Sequence, residues 1–244
     1  MLFNFYWDIL SIKKQFHSKL IFSSNKLTLR GFLESLAAVG FFIGVAKLPF
    51  AMVYILLSLA PIIMTTFGAL FLNEKVRWKR WTAVIIGFTG VVIVINPGEL
   101  KFGYYFIFPL LSALFLSIRD LVTRNIQTEH NSLQIAFITC LVVTIFFGVL
   151  SIYKFYSFSL EQSIILIISA FFLSFGYIFS IATIKAALVS VTSTFRYTAI
   201  LWGILYGYFF FNETPEYNTY LGAVMIIISG LIIILRQKQL GRIK

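Results

Sequence analysis

A charged side chain inside a long apolar run is expensive in lipid, so such positions are where this sequence points to chemistry. Arg196 stands in the run 187–211, about nine residues from its basic end, or roughly 13 Å deep at the 1.5 Å rise of a helix. A charge at that depth costs at least ~2.5–3.5 kcal/mol unless it is paired or hydrated. Its candidate partners are Asp120, Glu34, a substrate carboxylate and water. Two readings stand: a substrate or gating role, or a structural ion pair that fixes two helices. Glu34 and Asp120 lie within a few residues of the ends of their runs, where snorkelling to the interface is the expected behaviour. They are also the residues available as proton carriers or ion-pair partners. Arg119 follows Ser112 by seven positions and shares its inward face.

The second group of candidates sits around a proline. At 100° per residue, Tyr54, Ser58, Pro61, Thr65 and Gly68 fall in one narrow stripe. Pro61 brings no backbone N–H, so it frees a carbonyl one turn earlier, near Leu57. Such a kink is tolerated in a membrane where protein or water satisfies that carbonyl. The stripe reads as a cavity wall with a hinge, or as an ordinary proline kink packed on a neighbour. Gly203 and Gly207 share the face of Arg196 as a GxxxG pair, which places a helix rather than lipid against that face; Gly40 and Gly44 form a second pair. Ser169, Gly176, Ser180 and Thr183 make a weaker stripe.

Catalytic patterns are absent. His17 and His130 both lie outside the apolar runs, Cys140 is the single cysteine, and no GxxxxGK[ST], HExxH or paired-cysteine spacing occurs. No catalytic residue, metal site or cofactor is expected, and the chain is not read as an enzyme.

The elements that hold these residues are plain from composition. Of 244 residues, 59% are hydrophobic and 12% charged, and the mean hydropathy is +0.92. The net charge of +11 is confined to short clusters between apolar runs, so it marks membrane flanks and not a nucleic-acid surface. We count about eight spans by the ~20-residue criterion, at 31–47, 49–72, 80–96, 104–123, 132–153, 162–184, 187–211 and 217–235. The predicted fold is an all-α polytopic membrane helix bundle. With the N-terminus inside, the basic clusters at 13–30, 75–80, Arg124, Lys185 and 236–244 all fall on the cytoplasmic side. Only Lys47, Lys101 and Lys154 fall outside. Both termini are therefore expected to be cytoplasmic in a multi-pass protein of the inner (plasma) membrane.

Residues 48–96 and 187–235 repeat one plan: a long span ending in Phe, Asn and Glu (71, 73, 74 against 210, 212, 213), an aromatic elbow, then a span of Gly, Ala, Val and Ile. The first elbow falls inside and the second outside, so the repeat is inverted. The expected organisation is an interfacial or cytoplasmic segment 1–30, a first repeat of three helices at 31–98, a second of five at 99–236, and a basic tail at 237–244.

The spans containing "LAPI", ending "ALFLNE" and closing "GFTGVVIVINP", with "FRYTAILWGILYGYFFFNETPE" in the second copy, resemble the EamA-type domain of the drug/metabolite transporter superfamily. The resemblance covers about residues 30–237 and implies a carrier built from two inverted five-helix halves around an alternating central cavity. It would place Tyr54, Ser58, Pro61, Phe195, Arg196 and Trp202 near that cavity. The first half departs from the family by lacking two helices. The implied function is a secondary transporter of a small organic metabolite (an amino acid, a nucleoside-like compound or an S-adenosylmethionine-like one). The alternative is a truncated non-transporting remnant or an accessory membrane subunit. Expected partners are membrane lipid and the small-molecule metabolite, with no nucleic acid; a homodimer is left open.

Overall fold

The computed structural model describes residues 25–71, 78–96, 103–126, 130, 132–152, 157–186 and 198–239. Every regular element among them is a helix. In chain order these are α1 (Asn25–Lys47), α2 (Phe50–Leu57), α3 (Ala60–Phe71), α4 (Trp78–Ile95), α5 (Ile107–Ile126, entered through a 3-10 turn at Gly103–Phe106), α6 (Ser132–Ser151), α7 (Leu160–Ala186), α8 (Thr198–Phe211) and α9 (Tyr217–Gln239). The protein is an all-α polytopic membrane protein. Asn25–Lys47, Gly103–Thr123, Ser132–Ser151 and Leu160–Ile181 are each long and apolar enough to cross a bilayer, and shorter apolar helices accompany them.

Two differences from the sequence reading have local causes. The first described helix runs from Asn25, where a span from residue 31 was expected. Leu27 and Arg30 are buried there, and Arg30 finds polar partners, so the cation does not end the helix. The span 49–72 is two helices, α2 and α3, separated at Ser58 and Leu59. Pro61 has no N–H for the Leu57 carbonyl, and the backbone tightens instead: the Leu59 N–H reaches Leu56 at 3.2 Å and the Ile62 N–H reaches Leu59 at 2.9 Å.

Two units hold the described residues. One comprises Met1–Phe32 with Asn125–Ile181; the other comprises Leu33–Arg124 with Ala182–Lys244. In the first, Leu27, Ile126, Ile135, Ile138 and Ile181 form a small apolar core. Arg30 donates to Thr139 and, at 3.0 Å, to the Tyr177 hydroxyl, with its guanidinium 5.5 Å from the Tyr177 ring centroid. Only 6% of the apolar stretch Leu160–Ile181 of α7 is buried in protein. Its exposed Phe171, Phe172 and Phe179 are suited to hydrocarbon.

In the second unit, three helix pairs run antiparallel through contacts at small residues. Gly40 and Gly44 of α1 meet Phe108 and Pro109 of α5, and the Ser112 hydroxyl donates to the Ala37 carbonyl at 2.7 Å. Gly90 of α4 meets the Gly222 carbonyl of α9, and Ser229 donates to the Ala83 carbonyl. Gly203 of α8 meets Tyr54 of α2. Packing and hydrogen bonds, not water exclusion, hold helices together in lipid, which is why glycine marks each of these crossings and serine two of them. The apolar centre is built from Val53, Ile55, Leu56, Leu59, Ile62, Ala83, Val91, Ile200 and Ile226.

Candidate functional site

The proline stripe lies within the second unit. Tyr54 is half-buried, and its ring meets Phe41 edge-on at 5.9 Å and Phe50 at 4.8 Å. A Cβ placed on Gly203 would come within 2.5 Å of the Tyr54 Cβ, so only glycine lets α8 approach α2 this closely. Ser58 is buried, and its hydroxyl donates to the Tyr54 carbonyl at 2.8 Å, one turn back on its own helix. Pro61 is buried one turn further on. The structure therefore places Tyr54, Ser58 and Pro61 on a broken helix against α8. It does not bring Trp202 to them: Trp202 is 54% exposed and stacks on Tyr206 at 5.9 Å. Arg196 lies outside the described residues. Thr65 and Gly68 fall on α3, and their side chains lie outside the description.

Glu34 and Asp120 do not snorkel. Glu34 pairs with the Arg119 guanidinium at 2.5 Å and Asp120 does so at 2.7 Å. Arg119 and Asp120 are 8% and 5% exposed, which a solvated interfacial residue would not be. The roughly two helical turns between Ser112 and Arg119 carry both to the α1 side, where Glu34 sits across the crossing. Arg119 is the arginine that sequence reasoning placed on an inward face without finding its partners.

A pocket of about 270 Å³ opens where α2 and α9 begin and α4 ends. Its walls include Pro49, Met52, Val94, Asn96, Glu213 and Thr219. Asn96 and Asn212 both take left-handed backbone angles, with φ of 46° and 51°, and so turn the chain after α4 and α8. Glu213 was legible only as half of the repeated Asn-Glu pair; its contact with the start of α2 was not. Among the described residues no cluster of three or more His, Cys, Asp or Glu side chains could hold a metal.

Comparison with known proteins yields three findings. The sequence model described as the EamA-like transporter family matches residues 3–96 and 101–235. An S-adenosylmethionine uptake transporter of Rickettsia bellii is 27% identical over 215 residues, which cover 86% of this chain and 72% of the relative. A pseudopaline exporter of Pseudomonas aeruginosa is 26% identical over 212 residues, covering 83% and 72%. A solved crystal structure superposes with a TM-score of 0.55 over 91% of this chain and 92% of its own, at 15% identity, and so shares the fold.

Proposed function

The chain belongs to the EamA-like transporter family of small-molecule carriers, and from that premise we propose a secondary transporter that moves a small organic metabolite across the inner membrane by alternating access. The observation that carries this reading is the family match over both halves of the chain. Antiparallel contact between the equivalent helices α4 and α9 supports the inverted-repeat mechanism. Among amino-acid, nucleoside-like and S-adenosylmethionine-like substrates, the rickettsial relative favours the last.

In this reading Tyr54 and Ser58 line the substrate path at the helix break that Pro61 causes. Arg196 attracts an anionic group of the substrate. Glu34, engaged by Arg119, fixes α1 to α5, and Asp120 holds the Arg119 guanidinium beside it. The basic clusters support cytoplasmic termini.

The test is uptake of radiolabelled S-adenosylmethionine into proteoliposomes. Wild type should exceed empty liposomes. Arg196→Ala should lose about ten- to a hundredfold, as expected for one charge-assisted contact of ~1.5–3 kcal/mol. Uptake by Arg196→Ala equal to wild type removes Arg196 from the mechanism. Uptake no faster than empty liposomes, for this compound and for amino-acid and nucleoside probes, overturns the transporter reading in favour of a non-transporting remnant or accessory subunit.

A further inference from the structure

The carboxylate of Glu213 accepts a hydrogen bond from the Phe50 N–H at 2.7 Å, across 163 positions of sequence. Phe50 is the first residue of α2, and Pro49 before it offers no side-chain cap. The first N–H groups of a helix have no acceptor within it, and the positive end of the helix favours an anion. Glu213 is thus a cap supplied by a different element.

Its position is built from both sides. Asn212, at φ 51°, turns the chain after α8, and the Glu213 N–H closes on the Gly207 carbonyl at 3.0 Å. A Cβ on Gly207 would stand 3.0 Å from Glu213 Oε2, so the glycine leaves room for the carboxylate. The Phe50 and Phe211 rings stack at 5.0 Å beside it. At its other end α2 is separated from α3 by the Ser58–Leu59 break. An eight-residue helix carrying Tyr54 is therefore tied at its start and interrupted at its end. The pocket bordered by Met52, Val94 and Asn96 lies alongside the tie.

Resting on the transporter reading, we propose that Glu213 is a positioning residue for transport: its carboxylate latches the start of α2 to α8, keeping Tyr54 seated on Gly203 and the pocket narrow. Release of the latch lets α2 swing on the Ser58–Leu59 break and widens the pocket beside Met52.

The experiment uses full-length protein purified in detergent with Cys140→Ser as background. Met52→Cys reports the pocket, and Ala113→Cys, fully buried on α5, reports general loosening. Labelling by a bulky maleimide is timed with Glu213, Glu213→Gln and Glu213→Ala. Met52→Cys should label about tenfold faster with Glu213→Ala. The rise should be smaller with Glu213→Gln, whose amide oxygen can still accept from Phe50, and Ala113→Cys should not change. An unchanged Met52→Cys rate overturns the latch, as does an equal rise at Ala113→Cys. Where Glu213→Ala does not accumulate, Glu213→Met, which fills the space but offers no acceptor for the Phe50 N–H, decides in the same way. In proteoliposomes loss of the latch should lower the maximal rate of S-adenosylmethionine uptake while KM stays within about twofold. Absence of uptake by wild type counts against the transporter reading, and the labelling rates still decide the latch.

Discussion

Arg119 shows how a charge survives in this interior. Its guanidinium serves two carboxylates from two helices, Glu34 of α1 and Asp120 beside it on α5. Removing one member of a buried ionic group costs more than the group contributes, because the remaining charges stay desolvated. Arg119→Ala should therefore destabilise the protein by about 3–5 kcal/mol. Arg119→Lys should cost less, because it keeps the charge and loses the planar fork. Thermal unfolding in detergent, followed by loss of the monodisperse chromatographic peak, checks both; a melting temperature unchanged by Arg119→Ala counts against the ion pair. The face of Arg119 was legible from its spacing to Ser112. Its partner was not, because Glu34 is 85 positions away and only the crossing of α1 and α5 brings the two together.

At the scale of elements, a break and a helix contact were legible from single residue types. Pro61 announces a break in its span because the missing N–H is a property of the residue itself, and the backbone parts at Ser58–Leu59. The GxxxG pair at Gly203 and Gly207 announces a helix contact, and α2 fills it. Glycines that look alike in sequence differ in what surrounds them. Gly203→Ala drives a methyl into Tyr54 and should destabilise by about 1–3 kcal/mol, as overpacking does. Gly176→Ala, with nothing within 4 Å, should be neutral or stabilise α7 by up to ~1 kcal/mol through helix propensity. Melting temperatures of the two variants in one detergent check the contrast, and equal shifts would count against the α2–α8 packing. The start of α1 was misread because Arg30 resembles a membrane flank until Thr139 and Tyr177 are seen beside it.

For the whole molecule, the inverted repeat has a simple signature. Equivalent helices that meet in an inverted repeat run antiparallel, and α4 and α9 do so at a glycine crossing. From the basic clusters we expect both termini in the cytoplasm. A C-terminal green fluorescent protein fusion should fluoresce and a C-terminal alkaline phosphatase fusion should be inactive; the reverse pattern overturns the orientation. Sequence alone determined the all-helical membrane character and the family, because hydropathy, proline and glycine act within a few residues of chain. Only the tertiary structure decided which carboxylate meets which donor: Glu34 with Arg119, and Glu213 with Phe50. Those pairings depend on where distant helices cross, and no local pattern encodes a crossing.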